Sequence, residues 1–107
     1  MKIGKPKRVN LRPDETDLIG NWIKDGNRMI GDPIETRIGE LIAHGLQKIA
    51  VSAESGDWDI LYRDPGDGRY WELTYPNGEM HGGGPKRLTN LPATGAAAKY
   101  HLSDNGA

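Results

Sequence analysis

Two extended runs, residues 58–63 and 69–75, flank the pentapeptide Asp64-Pro65-Gly66-Asp67-Gly68. Proline presets φ for a turn and glycine supplies positive φ without steric cost. Aromatic and β-branched enrichment on both sides completes a β-hairpin signal. The segment 56–85 around it holds Trp58, Tyr62, Tyr70, Trp71 and Tyr75, and the carboxylates Asp57, Asp59, Asp64, Asp67, Glu72 and Glu79. Period-two alternation puts Trp58, Ile60 and Tyr62 on one face and Asp57, Asp59, Leu61 and Arg63 on the other. Trp71, Leu73 and Tyr75 likewise oppose Tyr70, Glu72 and Thr74. The aromatic-apolar faces are expected inward and the charged faces outward.

A hairpin of this kind needs a sheet and a cover. Residues 18–23 read as a strand, Asp25-Gly26-Asn27 as a turn, and Arg28-Met29-Ile30 as the returning strand. The main helix is expected over 33–44. Asp32 is its N-cap, Pro33 suits the first position, and Glu35 follows Asp32 by three residues. Ile34, Ile38, Leu41 and Ile42 form one apolar stripe, and Gly45 is placed to end the helix in a left-handed conformation. Residues 46–52 read as a strand and 86–91 as a last one. The alanine-rich 93–100 reads as a possible short helix that Gly95 weakens. Asn77-Gly78 marks a turn, and Glu79 to Pro85 is too glycine-rich for regular structure.

The fold class is therefore α+β: one small domain, an antiparallel sheet of about five or six strands, and one main packed helix crossing a face. A chain of 107 residues holds one core. The expected organisation is a flexible basic lead-in over 1–15, the domain over 16–102, and a frayed tail over 103–107. With no Phe, three Trp and four Tyr must supply the bulk. The set Trp22, Trp58 and Trp71 is assigned to the scaffold.

Composition excludes several chemistries. Cysteine is absent, which removes disulfides, thiolate zinc sites and thiol nucleophiles. No apolar run approaches the roughly 20 residues of a membrane span, and no apolar stretch follows the N-terminal charges as in a secretory signal. His44, His81 and His101 are scattered singly, so no metal site is expected. Asp64-x-x-Asp67-Gly68 faintly suggests calcium, but an EF-hand wants oxygen ligands where Gly66 and Gly68 stand. His81-Gly82-Gly83-Gly84 resembles an esterase oxyanion loop without its nucleophile elbow. Asp57, Asp59 and Glu72 are candidates for a glycosidase pair, though so short a chain offers little wall for a sugar cleft. Gly20-Asn21-Trp22 matches the Gly-x-Trp of lipocalins, but six short strands do not close an eight-stranded cup.

Charge is uneven. Lys2, Lys5, Lys7, Arg8 and Arg12 give the first 13 residues +5, and the remainder, nine Lys and Arg against fifteen Asp and Glu, carries −6. The basic arm reads as a solvated terminus or as a nucleic-acid-binding arm, the latter opposed by the acidic body. What remains is an acidic, aromatic binding surface suited to a basic protein partner.

Gly56-Asp57-Trp58, the run Leu61-Tyr62-Arg63-Asp64-Pro65-x-Asp67-Gly68-Arg69-Tyr70-Trp71-Glu72-Leu73-Thr74-Tyr75-Pro76, and Met80-His81-Gly82-Gly83-Gly84-Pro85 resemble the immunity protein 27 family. Gly20-Asn21-Trp22, Arg37-Ile38, Lys48-Ile49-Ala50-Val51 and Ala98-Lys99-Tyr100 fit the same pattern, so the resemblance spans residues 18–100. Asn77-Gly78-Glu79 and Gly95 depart from it. The resemblance implies a small protein made beside a secreted or contact-delivered bacterial toxin, which it binds in the cytoplasm, with no catalysis and no cofactor. The expected partner is the cognate toxin domain, for example a nuclease, with no small-molecule substrate and no membrane, and the expected mechanism is occlusion. Asp57, Asp59, Asp64, Asp67, Tyr70, Glu72, Glu79 and His81 are the expected contact residues. The competing expectations are a small hydrolase using His81 and nearby carboxylates, and a nucleic-acid adaptor using the basic arm.

Overall fold

The protein, as a computed structural model, is described over residues 10–55, 58–76 and 84–102. Strands β1 (Asp17–Ile19), β4 (Gln47–Val51), β5 (Ile60–Arg63), β6 (Tyr70–Thr74) and β7 (Arg87–Leu91) form an antiparallel sheet in the order β1-β7-β6-β5-β4. Strands β2 (Trp22–Asp25) and β3 (Arg28–Gly31) form a separate two-stranded ribbon. With two helices, α1 (Pro33–Glu40) and α2 (Ala93–Tyr100), the α+β class read from the sequence holds.

The hairpin β5–β6 occupies the middle of the large sheet. Its register pairs Ile60 with Leu73, Leu61 with Glu72, Tyr62 with Trp71 and Arg63 with Tyr70. Tyr62, Trp71 and Leu73 face a core completed by Leu18 of β1, Leu88 of β7, and Ile38 and Leu41. Trp71, Ile38, Leu41 and Leu88 are fully buried. Burying each such side chain contributes about 1.5–3 kcal/mol, so this interface anchors α1 across the sheet.

Helix α1 starts as the sequence dictates: the Glu35 N–H donates to Asp32 Oδ1 at 2.7 Å, and Pro33 occupies the first turn. Its end differs. The helix runs into a π turn over Leu41–Gly45, closed by the Leu46 N–H donating to the Leu41 carbonyl at 2.8 Å. Gly45 lies inside that turn and the chain leaves through extended Leu46, so the left-handed cap expected at Gly45 does not form. The wider turn leaves Leu41, Ile42 and Leu46 all against the core. Ile34, expected in the apolar stripe, is exposed, and Glu35 is buried in its place.

The strand expected over 18–23 is broken in two. The Gly20 N–H donates to the Lys86 carbonyl at 2.8 Å, and the Asn21 carbonyl accepts from the Asp32 N–H at 2.8 Å. The chain therefore leaves the main sheet after Ile19 and enters the ribbon at Trp22. Trp22 is consequently exposed rather than core, as is Trp58, which precedes β5 and meets Tyr75 edge-on at 5.2 Å. Of the three tryptophans assigned to the scaffold, only Trp71 is buried.

The second face of the sheet is covered too. Leu61 packs with Ala96 and Tyr100 of α2, bordered by Ala50, Tyr70, Leu91 and Leu102. The helix tolerates Gly95 and stops at His101, whose φ of 56° is left-handed. The face carrying Glu72, expected outward, thus becomes an interior one. On the opposite side of the molecule Leu11 joins the main core, so the lead-in expected over 1–15 contributes a buried side chain. The Asn77-Gly78 turn, most of the glycine-rich loop, the tail and residues 1–9 lie outside the described residues. No helix among the described residues is long and apolar enough to cross a membrane.

Candidate functional site

The hairpin turn is rigidly prepared. Asp64 Oδ1 accepts the Gly66 N–H at 2.8 Å, the Asp64 carbonyl accepts the Gly68 N–H at 2.7 Å, and the Asp64 N–H donates to the Arg69 carbonyl at 2.8 Å. Gly68 has φ 82°, a conformation that favours glycine. Asp67 Oδ1 accepts the Arg69 N–H at 2.9 Å, and Asp67 Oδ2 accepts from Arg69 Nε at 2.7 Å. The Arg69 backbone N–H, helped by its guanidinium, holds the Asp67 carboxyl below the usual aspartate range. Both aspartates therefore act as turn formers, and the Asp67 side chain remains partly open to solvent.

Arg69 is the centre of this end of the molecule, and nothing in its local sequence marks it so. Besides Asp67, its guanidinium donates to the carbonyls of Glu15 at 2.7 Å and Arg12 at 3.0 Å. It also lies over the Trp71 ring, 4.9 Å from the centroid. Glu15 in turn receives two hydrogen bonds from the Arg37 guanidinium. Those bonds hold the Glu15 carboxyl at a pKa of about 2, against a smaller opposing effect of burial. The segment 10–16 is thereby strapped between the hairpin turn and α1. Beside the turn lies a shallow concavity of about 290 Å³, bordered by Asp67, Arg69, Tyr70, Asn90 and Pro92.

The other end of the hairpin is different. Lys99 Nζ of α2 reaches Asp59 Oδ2 at 2.8 Å and Glu72 Oε2 at 2.5 Å. The Tyr100 hydroxyl donates to the same Glu72 oxygen at 2.8 Å. Burial alone would lower the Lys99 pKa, but its bonds to Asp59 and Glu72 outweigh that and raise it. Burial, then the bond to Glu72, pushes the Tyr100 hydroxyl up. A buried carboxylate with a lysine and a tyrosine in reach is a satisfied structural network.

The eight residues expected to contact a partner are thus divided. Asp64, Asp67 and Tyr70 lie together at the turn end. Asp59 and Glu72 are drawn together under α2 by Lys99, with Glu72 buried. Asp57, Glu79 and His81 lie outside the described residues. No cluster of His, Asp and Glu able to hold a metal ion occurs among the described residues.

A second buried carboxylate escaped local reading. The Glu35 side chain, three residues after the N-cap Asp32, does not bond back to the Asp32 N–H, which donates to the Asn21 carbonyl. The Glu35 carboxylate turns the other way: Oε1 accepts the Lys86 N–H at 2.8 Å and Oε2 accepts Lys86 Nζ at 2.9 Å. It passes so close to Gly20 and Gly31 that a Cβ at either would overlap it. The sequence signals are the glycines Gly20 and Gly31, which both mark the close approach of the Glu35 side chain.

Against known proteins, no curated relative and no solved structure matches. A family model described as immunity protein 27 matches residues 24–92, which runs from the ribbon through the helix α1, the hairpin and β7. That span covers well over half of the 107 residues. The chain belongs to the immunity protein 27 family.

Proposed function

We propose that this protein binds a cognate bacterial toxin domain in the cytoplasm of the producing cell and blocks it without catalysing a reaction. The match to the immunity protein 27 family over residues 24–92 carries this reading, because immunity proteins act by engaging a partner protein. The turn end of β5–β6 is the candidate contact surface. Asp64 and Asp67 are fixed by the turn's own hydrogen bonds, so little side-chain entropy is lost when a basic partner meets them. The body beyond residue 13 carries −6, a sign that speeds encounter with a basic protein such as a nuclease. Tyr70 sits beside these acids as an aromatic contact, and Asp57, Glu79 and His81 are proposed as further contacts. Asp59 and Glu72 support it from within by holding α2 through Lys99.

The test is rescue. The toxin domain encoded by the neighbouring reading frame is expressed with this protein or with its Asp67→Lys or Asp64→Lys variant. The unaltered protein restores growth; the charge reversals weaken rescue at temperatures where circular dichroism shows each variant still folded. Equal killing with and without the unaltered protein would refute the pairing, and full rescue by a variant carrying both Asp64→Lys and Asp67→Lys would move the surface elsewhere.

A further inference from the structure

The ribbon β2–β3 stands apart from the main sheet, and its outer edge is regular, with Trp22 and Ile23 beside Lys24 and Asp25. All four β2 residues are exposed, with Trp22 at 37% and Ile23 at 43%, and Met29 of β3 at 61%. The pairing runs without interruption from Trp22 opposite Gly31 to Asp25 opposite Arg28. The outer strand β4 of the main sheet, by contrast, carries an irregularity between Lys48 and Ala50, and β1 has three residues. Bulged and short edges resist further pairing. Among the described residues β2 pairs only with β3.

The direction of its free main-chain groups follows from the register. The Asn21 carbonyl accepts the Asp32 N–H, so the N–H and C=O groups of Ile23 and Asp25 point to β3. Those of Trp22 and Lys24 point outward. A strand added to this edge must bond to Trp22 and Lys24. We infer that the occupant is β2 of a second copy of this chain, paired antiparallel about a two-fold axis at Ile23.

Three symmetric registers satisfy the outward groups. One centred on Lys24 sets two ammonium groups directly opposite each other, which is unfavourable. One centred on Trp22 needs the Gly20 N–H, which Lys86 already holds. The register centred on Ile23 places Trp22 opposite the second copy's lysine and Ile23 opposite its isoleucine. It forms about four main-chain hydrogen bonds, two cation–π contacts and one aliphatic pair. It joins the two ribbons into a continuous four-stranded sheet, and it is isologous as a closed dimer requires. The inference concerns the chain alone and does not depend on a toxin.

Light scattering on the purified chain, from about 1 μM to about 1 mM, reads the mass directly. The mass is expected to rise from one chain to two. Ile23→Glu, which opposes two carboxylates across the axis, and Lys24→Pro, which removes an outward N–H without breaking a ribbon bond, are each expected to weaken pairing at least about tenfold. A single-chain mass at every concentration overturns the inference, as does a dimer that survives both changes. Hydrogen exchange on the unaltered chain covers the case in which a variant misfolds. The Trp22 and Lys24 amides are expected to gain protection with concentration, while Ile23 is protected at every dilution. Exchange at Trp22 and Lys24 that ignores concentration overturns it as well.

Discussion

Replacing Gly20 with alanine is the sharpest probe of how α1, the ribbon and the main sheet are joined. A Cβ there would sit 2.1 Å from Glu35 Oε1 and 3.1 Å from the Glu35 Cα and Cβ. The side chain cannot step aside freely, because its two oxygens hold the Lys86 N–H and ammonium. Two costs add. Overpacking a filled site costs about 1–3 kcal/mol, and loosening the bonds to a buried carboxylate costs about 1–3 kcal/mol more. The expected loss is thus about 2–6 kcal/mol, and for a domain of this size each kcal/mol lowers the midpoint by roughly 4–8 °C. Urea unfolding followed by circular dichroism measures it. Gly39→Ala is the internal control: a Cβ at Gly39 meets nothing within 4 Å, so that change is expected to stabilise α1 by about 0.5–1 kcal/mol. In a Glu35→Ala background the Gly20→Ala penalty is expected to fall by at least about 1 kcal/mol, since the obstructing carboxylate is gone. A Gly20→Ala protein within about 0.5 kcal/mol of the parent, or equal penalties in both backgrounds, would refute the reasoning.

Other outcomes follow from the same contacts. The Glu15 carboxyl titrates from its ordinary value of 4.5 when unfolded to about 2 when folded. Its stabilisation is present above pH 4.5 and lost as pH falls toward 2, worth about 2 kcal/mol after screening; Glu15→Gln should flatten that part of the midpoint-versus-pH curve. Lys99→Met should cost about 2–4 kcal/mol, because it takes the cation from the buried Glu72 carboxylate, and Tyr100→Phe about 1 kcal/mol; both are read from urea midpoints. Acrylamide should quench Trp22 and Trp58 readily and Trp71 only after unfolding, so single-tryptophan variants should separate into two classes.

Much of the architecture is local enough to read. The turn residues Asp64 to Gly68 fix the β5–β6 hairpin, Asp32-Pro33 starts α1, and the alanine-rich 93–100 forms α2 despite Gly95. What local pattern cannot supply is where α2 lands. Its arrival over Leu61 turned the expected solvent face of the hairpin into a second interior and buried Glu72. The pairs that settle charged groups join residues far apart in sequence: Glu15 with Arg37, Glu35 with Lys86, Asp59 with Lys99, Asp17 with Arg87. An isolated tryptophan such as Trp22 carries the same signal in a core strand and in a projecting ribbon. The break at Gly20 decides between them, and it depends on Glu35, fifteen residues on.

The claim that this protein works by covering a partner is tested most directly by titration of the purified neighbouring toxin domain. The activity of a fixed toxin concentration is followed as the protein is added. Linear loss of activity that ends at a fixed whole-number ratio, recovered when the complex is dissociated, is the expected result. Complete inactivation by a small fraction of an equivalent, or undiminished toxin activity at a large excess, would contradict it.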